Sequence, residues 1–286
     1  HFSTNYKKYI DVGITRKILK YLTRNNSSVF ATLWGHGGIG KTAAIQNACE
    51  ILANNERKKF DYIIFLSAKD RFYNYYKGVI QELKDNINYL SEIIDFINTI
   101  VFENIDDGEK SIINYEGKML IVIDDIETFS KEEKSKITEF IKKLDINHHK
   151  VILTTRSATL VTGEEIETNE LDESDTINFL IEAFRNEIPD YNVDKDIEAF
   201  KEKSKTIHEV TSGRPLFILQ FAILLAQKGS LEETLSVDIK STSEAKNFLY
   251  DRIYDYLCPD ARNMFLSINL LVNKTALTWL INNLKY

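Results

Sequence analysis

The sequence predicts an α/β fold: a doubly wound parallel sheet, followed by a helical domain and a partial winged-helix-like segment. Three observations predict it. Four short apolar, β-prone runs at 29–34, 62–66, 119–123 and 151–153 read as fully buried strands. The stretches between them carry apolar residues at three- and four-residue steps, the period of helices packed on a sheet. After about residue 168 the strand signals stop and helical patterning continues alone.

The first run, 29–34, leads into a glycine cluster and then a helix over 41–54, whose apolar positions Ala44, Ile45, Ala48, Ile51 and Leu52 share one side. The second strand, 62–66, is followed by helical spacing over 75–102. The third, 119–123, is followed by a helix over 131–144, and the fourth is 151–153. Asp172, Glu173 and Ser174 supply capping oxygens and N-terminal negative charge for a helix through Phe184, which Pro189 closes. A further helix is expected over 193–210. Gly213-Arg214-Pro215 interrupts the pattern before an apolar helix over 216–227 that Gly229 caps. A helix over 244–257 ends before Pro259, with two short helices after it. The expected units are 1–167, a nucleotide-binding domain, 168–235, a helical domain, and 236–286, the winged-helix-like segment. The chain begins at His1 without a methionine and stops just beyond an apolar helical pattern at Tyr286, which reads as a segment of something longer.

Composition excludes several classes. With 43% apolar and 11% aromatic residues in 286, the chain can bury a sizeable core, and no low-complexity tract suggests disorder. The longest apolar run, 217–226, is broken by Gln220 and is short of the roughly 20 residues that a spanning helix needs, so no membrane partner is expected. The net charge of −7 gives no general pull toward nucleic acid, a partner that stays open. Cys49 and Cys258 offer neither a disulfide framework nor a metal quartet, which fits a cytoplasmic protein.

The chemistry starts at Gly35-His36-Gly37-Gly38-Ile39-Gly40-Lys41-Thr42, two glycines five apart followed by Lys and Thr. Glycines let backbone N–H groups turn inward around a polyphosphate, and the helix that follows sets its positive dipole end beneath it. Lys41 can reach the β- and γ-phosphates, and the Thr42 hydroxyl can bind Mg²⁺. The run 119–123 ends in Asp124 and Asp125, which places carboxylates at the sheet edge where that loop lies. Asp124 suits the metal and Asp125 the attacking water, with Glu127 in reserve for the second role. The run 151–153 continues into Thr154-Thr155-Arg156, whose cation can contact a γ-phosphate. Thr211-Ser212-Gly213-Arg214-Pro215-Leu216 is by itself only a helix start.

In this order GHGGIGKT, MLIVIDD, VILTTR and GRPL resemble the Walker A, Walker B, sensor-arginine and "GLPL"-type motifs of the STAND class of P-loop ATPases. That class includes the NB-ARC and NACHT-like modules of apoptosome, plant immune-receptor and bacterial defence proteins. The resemblance spans about residues 10–228 and extends into the winged-helix-like segment from about 240. It implies ATP or ADP and Mg²⁺ as cofactors, with Lys41 and Thr42 on phosphates and metal. It further implies Asp124 as the metal-associated acid, Asp125 as the catalytic acid, Arg156 as the γ-phosphate sensor and Pro215 as an adenine contact. Ile10 and Val12 stand where the family packs a segment on adenine, but no arginine follows Gly13 directly, as it commonly does in the family. Ala43 replaces a second hydroxyl residue often found after the loop, so it keeps its place in the nucleotide-binding set without that side-chain contact. The function implied is a switch: ADP holds a closed monomer, exchange for ATP allows self-association into an oligomer, and slow hydrolysis resets it. Trigger, sensor and effector parts, and the family's "MHD" histidine, would lie outside these residues. The alternative reading is an AAA+-like motor or initiator ATPase acting on nucleic acid, marked by a basic winged-helix face.

Overall fold

A computed structural model describes residues 8–24, 28–68, 71–74, 79–82, 87–103, 108–156 and 163–237. From the N-terminus the chain runs α1 (Ile14–Thr23), β1 (Phe30–Trp34), α2 (Lys41–Ala53), β2 (Tyr62–Ser67), β3 (Arg71–Asn74), β4 (Val79–Glu82), α3 (Leu90–Phe102) and α4 (Gly108–Ile113). It continues through β5 (Met119–Asp124), a one-turn 3₁₀ segment (Ile126–Thr128), α5 (Lys131–Lys142), β6 (His149–Thr155) and β7 (Glu164–Glu167). The helical unit comprises α6 (Glu173–Glu187), a second 3₁₀ turn (Val193–Lys195), α7 (Ile197–Glu202), α8 (Ser204–Thr211), α9 (Pro215–Lys228) and α10 (Leu231–Leu235).

Five parallel strands form one sheet in the order β2-β5-β6-β1-β7. Strands β5 and β6 are buried along their whole length, which is why 119–123 and the centre of β6, 151–153, read as unbroken apolar runs. Side chains alternate across the sheet: Ile121, Ile123, Val151 and Leu153 pack with α3 and α5, and Leu120, Val122 and Ile152 with α1 and α2. A third cluster joins α6 to α9 around Leu180, Phe184, Phe200, Ile218 and Phe221. Among the described residues, no single helix is long and apolar enough to cross a membrane.

Two expectations are corrected. The stretch 75–102 is not helical throughout, since β4 pairs antiparallel with β3 and the helix begins only at Leu90. The expected helix 193–210 is a 3₁₀ turn and two short helices that break at Lys203, whose N–H still bonds the Ala199 carbonyl. β7, which the four apolar runs do not include, holds one buried apolar residue, Ile166, among glutamates, and it occupies the sheet edge, where charge discourages further pairing. The helix expected at 244–257 and the winged-helix-like segment from 238 onward lie outside the described residues, as does Cys258.

Candidate phosphate-binding site

The sheet order brings the sequence motifs to one edge. The loop 35–40 connects β1 to α2, Asp124 ends β5, and Arg156 follows β6, all at the carboxyl ends of parallel strands. Gly35 has φ +148°, and a Cβ there would fall on the Thr168 hydroxyl. Gly38 has φ +80° and its Cα faces Leu216, so a side chain would also have to displace α9.

Lys41 is buried at the first turn of α2 and folds back into the loop, donating to the carbonyl oxygens of Gly35 at 2.6 Å and His36 at 3.1 Å. Burial pulls its pKa down to about 8, against the raising influence of Asp125, Glu127 and Asp124. His36 is exposed, 3.7 Å from a Glu170 carboxylate oxygen. Ile39 is buried and Ala43 lies in the first turn of α2.

Asp124 is fully buried. The Thr42 hydroxyl reaches its two oxygens at 3.0 and 3.1 Å, and the Thr154 hydroxyl donates to Oδ1 at 2.7 Å. A hydroxyl and a carboxylate converging in this way form the hard oxygen set that Mg²⁺ takes, so these residues fit the ion. Asp125 has a left-handed backbone, φ +63°, and its N–H donates to Thr154 Oγ1 at 2.6 Å. Thr128 N–H and hydroxyl both donate to the Asp125 carbonyl, closing the 3₁₀ turn that follows. A non-glycine residue held there costs of order 1 kcal/mol, and such strain gathers at functional sites.

That turn swings Glu127 back toward the loop. Its carboxylate is buried, Arg156 Nε lies 3.5 Å from Oε1, and neither oxygen has a hydrogen-bond partner. Burial first, and the charge of Asp125 second, push its pKa up to about 7.

The helical unit touches the loop directly. Leu216 N–H donates to the Gly38 carbonyl at 3.1 Å, and Glu170 lies 3.4 Å from Arg214 Nη2 as well as near His36. Pro215 is buried at the first position of α9, beside this contact. Ile10 and Val12 line a groove of about 500 Å³ with Leu171, Asp175 and Phe179, a lining that does not include Pro215. The contacts of Thr154, Thr168 and Glu170 here go beyond the sequence motifs: Thr154 lies inside VILTTR without a role of its own there, and no motif marks Thr168 or Glu170, because their proximity follows from strand order.

The fold and site together define a P-loop NTPase. The NB-ARC domain model matches residues 13–187, and the chain belongs to that family. Cdc6p from Pyrobaculum aerophilum shares the fold at a TM-score of 0.51 and 13% identity, over 79% of this chain and 65% of that one. Domain III of the Thermotoga maritima replication initiation protein DnaA aligns at a TM-score of 0.43 and 13% identity, over 87% of this chain and 95% of that one. The chain thus spans just under two thirds of the length of Cdc6p. The curated proteins give no match.

Proposed function

We propose that the chain is the ATP/ADP-binding module of a nucleotide-controlled oligomerisation switch, in an NLR-like defence protein of the cytoplasm, with slow Mg²⁺-dependent hydrolysis. The observation that carries this reading is the junction of the phosphate loop with the start of α9, through Leu216 and Gly38 and through the Glu170 carboxylate near both His36 and Arg214. A ligand in that loop presses on both units at once, so ATP and ADP can favour different arrangements of them. In this reading Lys41 holds the β- and γ-phosphates and the N–H groups of 35–43 cradle them. Thr42 and Asp124 hold Mg²⁺, which supplies charge neutralisation when bound. Asp125 orients the attacking water, and Arg156 distinguishes ATP from ADP. Pro215, Ile10 and Val12 remain the candidates for the adenine side. The division into units 1–167, 168–235 and 236–286 belongs to the same proposal.

Self-association has its own support. Three of the exposed large apolar residues among those described, Tyr89, Phe96 and Ile100, lie on and beside α3, with exposed Asp95 and Glu103. An exposed apolar face of this kind suits a contact between copies of this chain. The test is to identify the nucleotide carried by purified protein and to measure phosphate release. Co-purified ADP and slow, Mg²⁺-dependent release support the switch. Fast turnover stimulated by duplex DNA would favour an initiator-type ATPase instead.

A further inference from the structure

Glu127 is the least explained group at the site. A buried carboxylate is ordinarily hydrogen-bonded, yet Glu127, 9% exposed, has no hydrogen-bond partner on either oxygen and only the 3.5 Å approach of Arg156 Nε to Oε1. Its surroundings are the phosphate site itself. Asp125 approaches from the end of β5, Lys41 from α2 and Arg156 from the end of β6. Lys134 of α5 approaches from behind, where its Nζ donates to the Glu127 backbone carbonyl at 2.9 Å. Asp124, by contrast, has its oxygens engaged by Thr42 and Thr154. The left-handed turn at Asp125 and the 3₁₀ turn after it are what carry Glu127 back over the strand ends.

We propose that Glu127 accepts the proton from the water that attacks the γ-phosphate, while Asp125 orients that water. The proposal rests on the ATPase reading above. In the step, the water oxygen forms a bond to the γ-phosphorus and the bond from that phosphorus to the β–γ bridging oxygen breaks. That oxygen leaves with ADP carrying the electron pair, and the water proton passes to the Glu127 carboxylate. Two neighbouring buried carboxylates can divide such work: Asp125 and Glu127 are 6% and 9% exposed, and the Asp125 charge favours a proton on Glu127. Burial and the Asp125 charge, which lift Glu127 to about 7, act in the same direction. Arg156 Nε, 3.5 Å from Oε1, holds the carboxylate beside the end of β6.

The experiment compares wild type with Glu127→Gln, Glu127→Asp and Lys41→Met, measuring the affinities for ATP and ADP and the single-turnover rate of bound ATP against pH. Glu127→Gln keeps the size of the side chain and removes a buried charge, so the fold is retained. Its ATP affinity is expected within about threefold of wild type and its hydrolysis rate down by about 100-fold, in the range of a lost general base. Glu127→Asp recovers part of the rate, and the rise of the wild-type rate with pH is absent from the Gln variant. Hydrolysis by Glu127→Gln within about threefold of wild type overturns the proposal. So does a changed ATP affinity with an unchanged rate for bound ATP, which would make Glu127 only a counter-ion for Arg156. Failure of the underlying reading looks different: Lys41→Met would then hydrolyse ATP as wild type does. If Lys41→Met is inactive while Glu127→Gln is active, the site stands and only the role of Glu127 falls.

Discussion

Replacing Lys41 by methionine should separate phosphate binding from folding. The ammonium donates to the Gly35 carbonyl at 2.6 Å and the His36 carbonyl at 3.1 Å. A polyphosphate would replace these neutral acceptors by charged ones. Hydrogen bonds between charged groups contribute about 1.5–3 kcal/mol each, and two of them, less the two carbonyl bonds given up at about 1 kcal/mol apiece, leave a net of about 1–4 kcal/mol, centred near about 2.5 kcal/mol. That is roughly a 60-fold loss of ADP affinity in Lys41→Met. The pH dependence supplies a second reading of the same group. Burial holds Lys41 at about 8, so above that pH the free chain is neutral there and must take up a proton on binding. Affinity should therefore fall with rising pH, by up to about tenfold per pH unit, in wild type and not in the variant. Calorimetric titration of ADP at constant Mg²⁺, from about pH 7 to about pH 9.5, measures both effects. A variant that binds within about threefold of wild type, or a wild-type affinity flat across that range, refutes the assignment.

Asp125→Asn should retain ATP and slow its hydrolysis by about tenfold or more, as read from phosphate release after ATP affinity has been matched. His149 lies at the opposite end of the sheet, fully buried with neither ring nitrogen hydrogen-bonded, and burial first, then His148, lowers its pKa to about 4. The folded state therefore favours the neutral ring: stability is full above about pH 6.5 and falls by up to about 3 kcal/mol as pH drops toward 4. His149→Phe should flatten that part of a urea-denaturation series, and an unchanged slope would count against the buried-neutral assignment. Joint replacement of Phe96 and Ile100 by glutamate should weaken ATP-dependent assembly, seen by light scattering, while thermal stability stays near wild type because both side chains are exposed. Unaltered assembly would remove that face from the interface.

The sheet was legible because its central strands are buried on both faces, so the 119–123 part of β5 and the 151–153 centre of β6 show as unbroken apolar text. The phosphate loop was legible because its glycines, Lys41 and Thr42 fall within a few consecutive residues, where spacing alone specifies the chemistry. What remained hidden depends on neighbours distant in the chain. Thr154 bonds Asp124 only because β6 lies beside β5, and a sequence does not state strand order. The β3–β4 pairing was hidden because each of these four-residue segments carries only two adjacent apolar residues, too few to separate a strand from a helix by period. β7 escaped notice because one buried isoleucine carries no periodicity. Glu127 was visible only as a reserve for Asp125; its burial and orphaned oxygens depend on the left-handed turn that Asp125 adopts.

The central claim is that the nucleotide decides the state of assembly. Mass determination by light scattering on the full-length protein, once with Mg²⁺ and ADP and once with Mg²⁺ and a non-hydrolysable ATP analogue, tests it most directly. The account predicts a monomer with ADP, a larger closed assembly with the analogue, and loss of that assembly in Arg156→Ala. Identical mass distributions with the two nucleotides would contradict it.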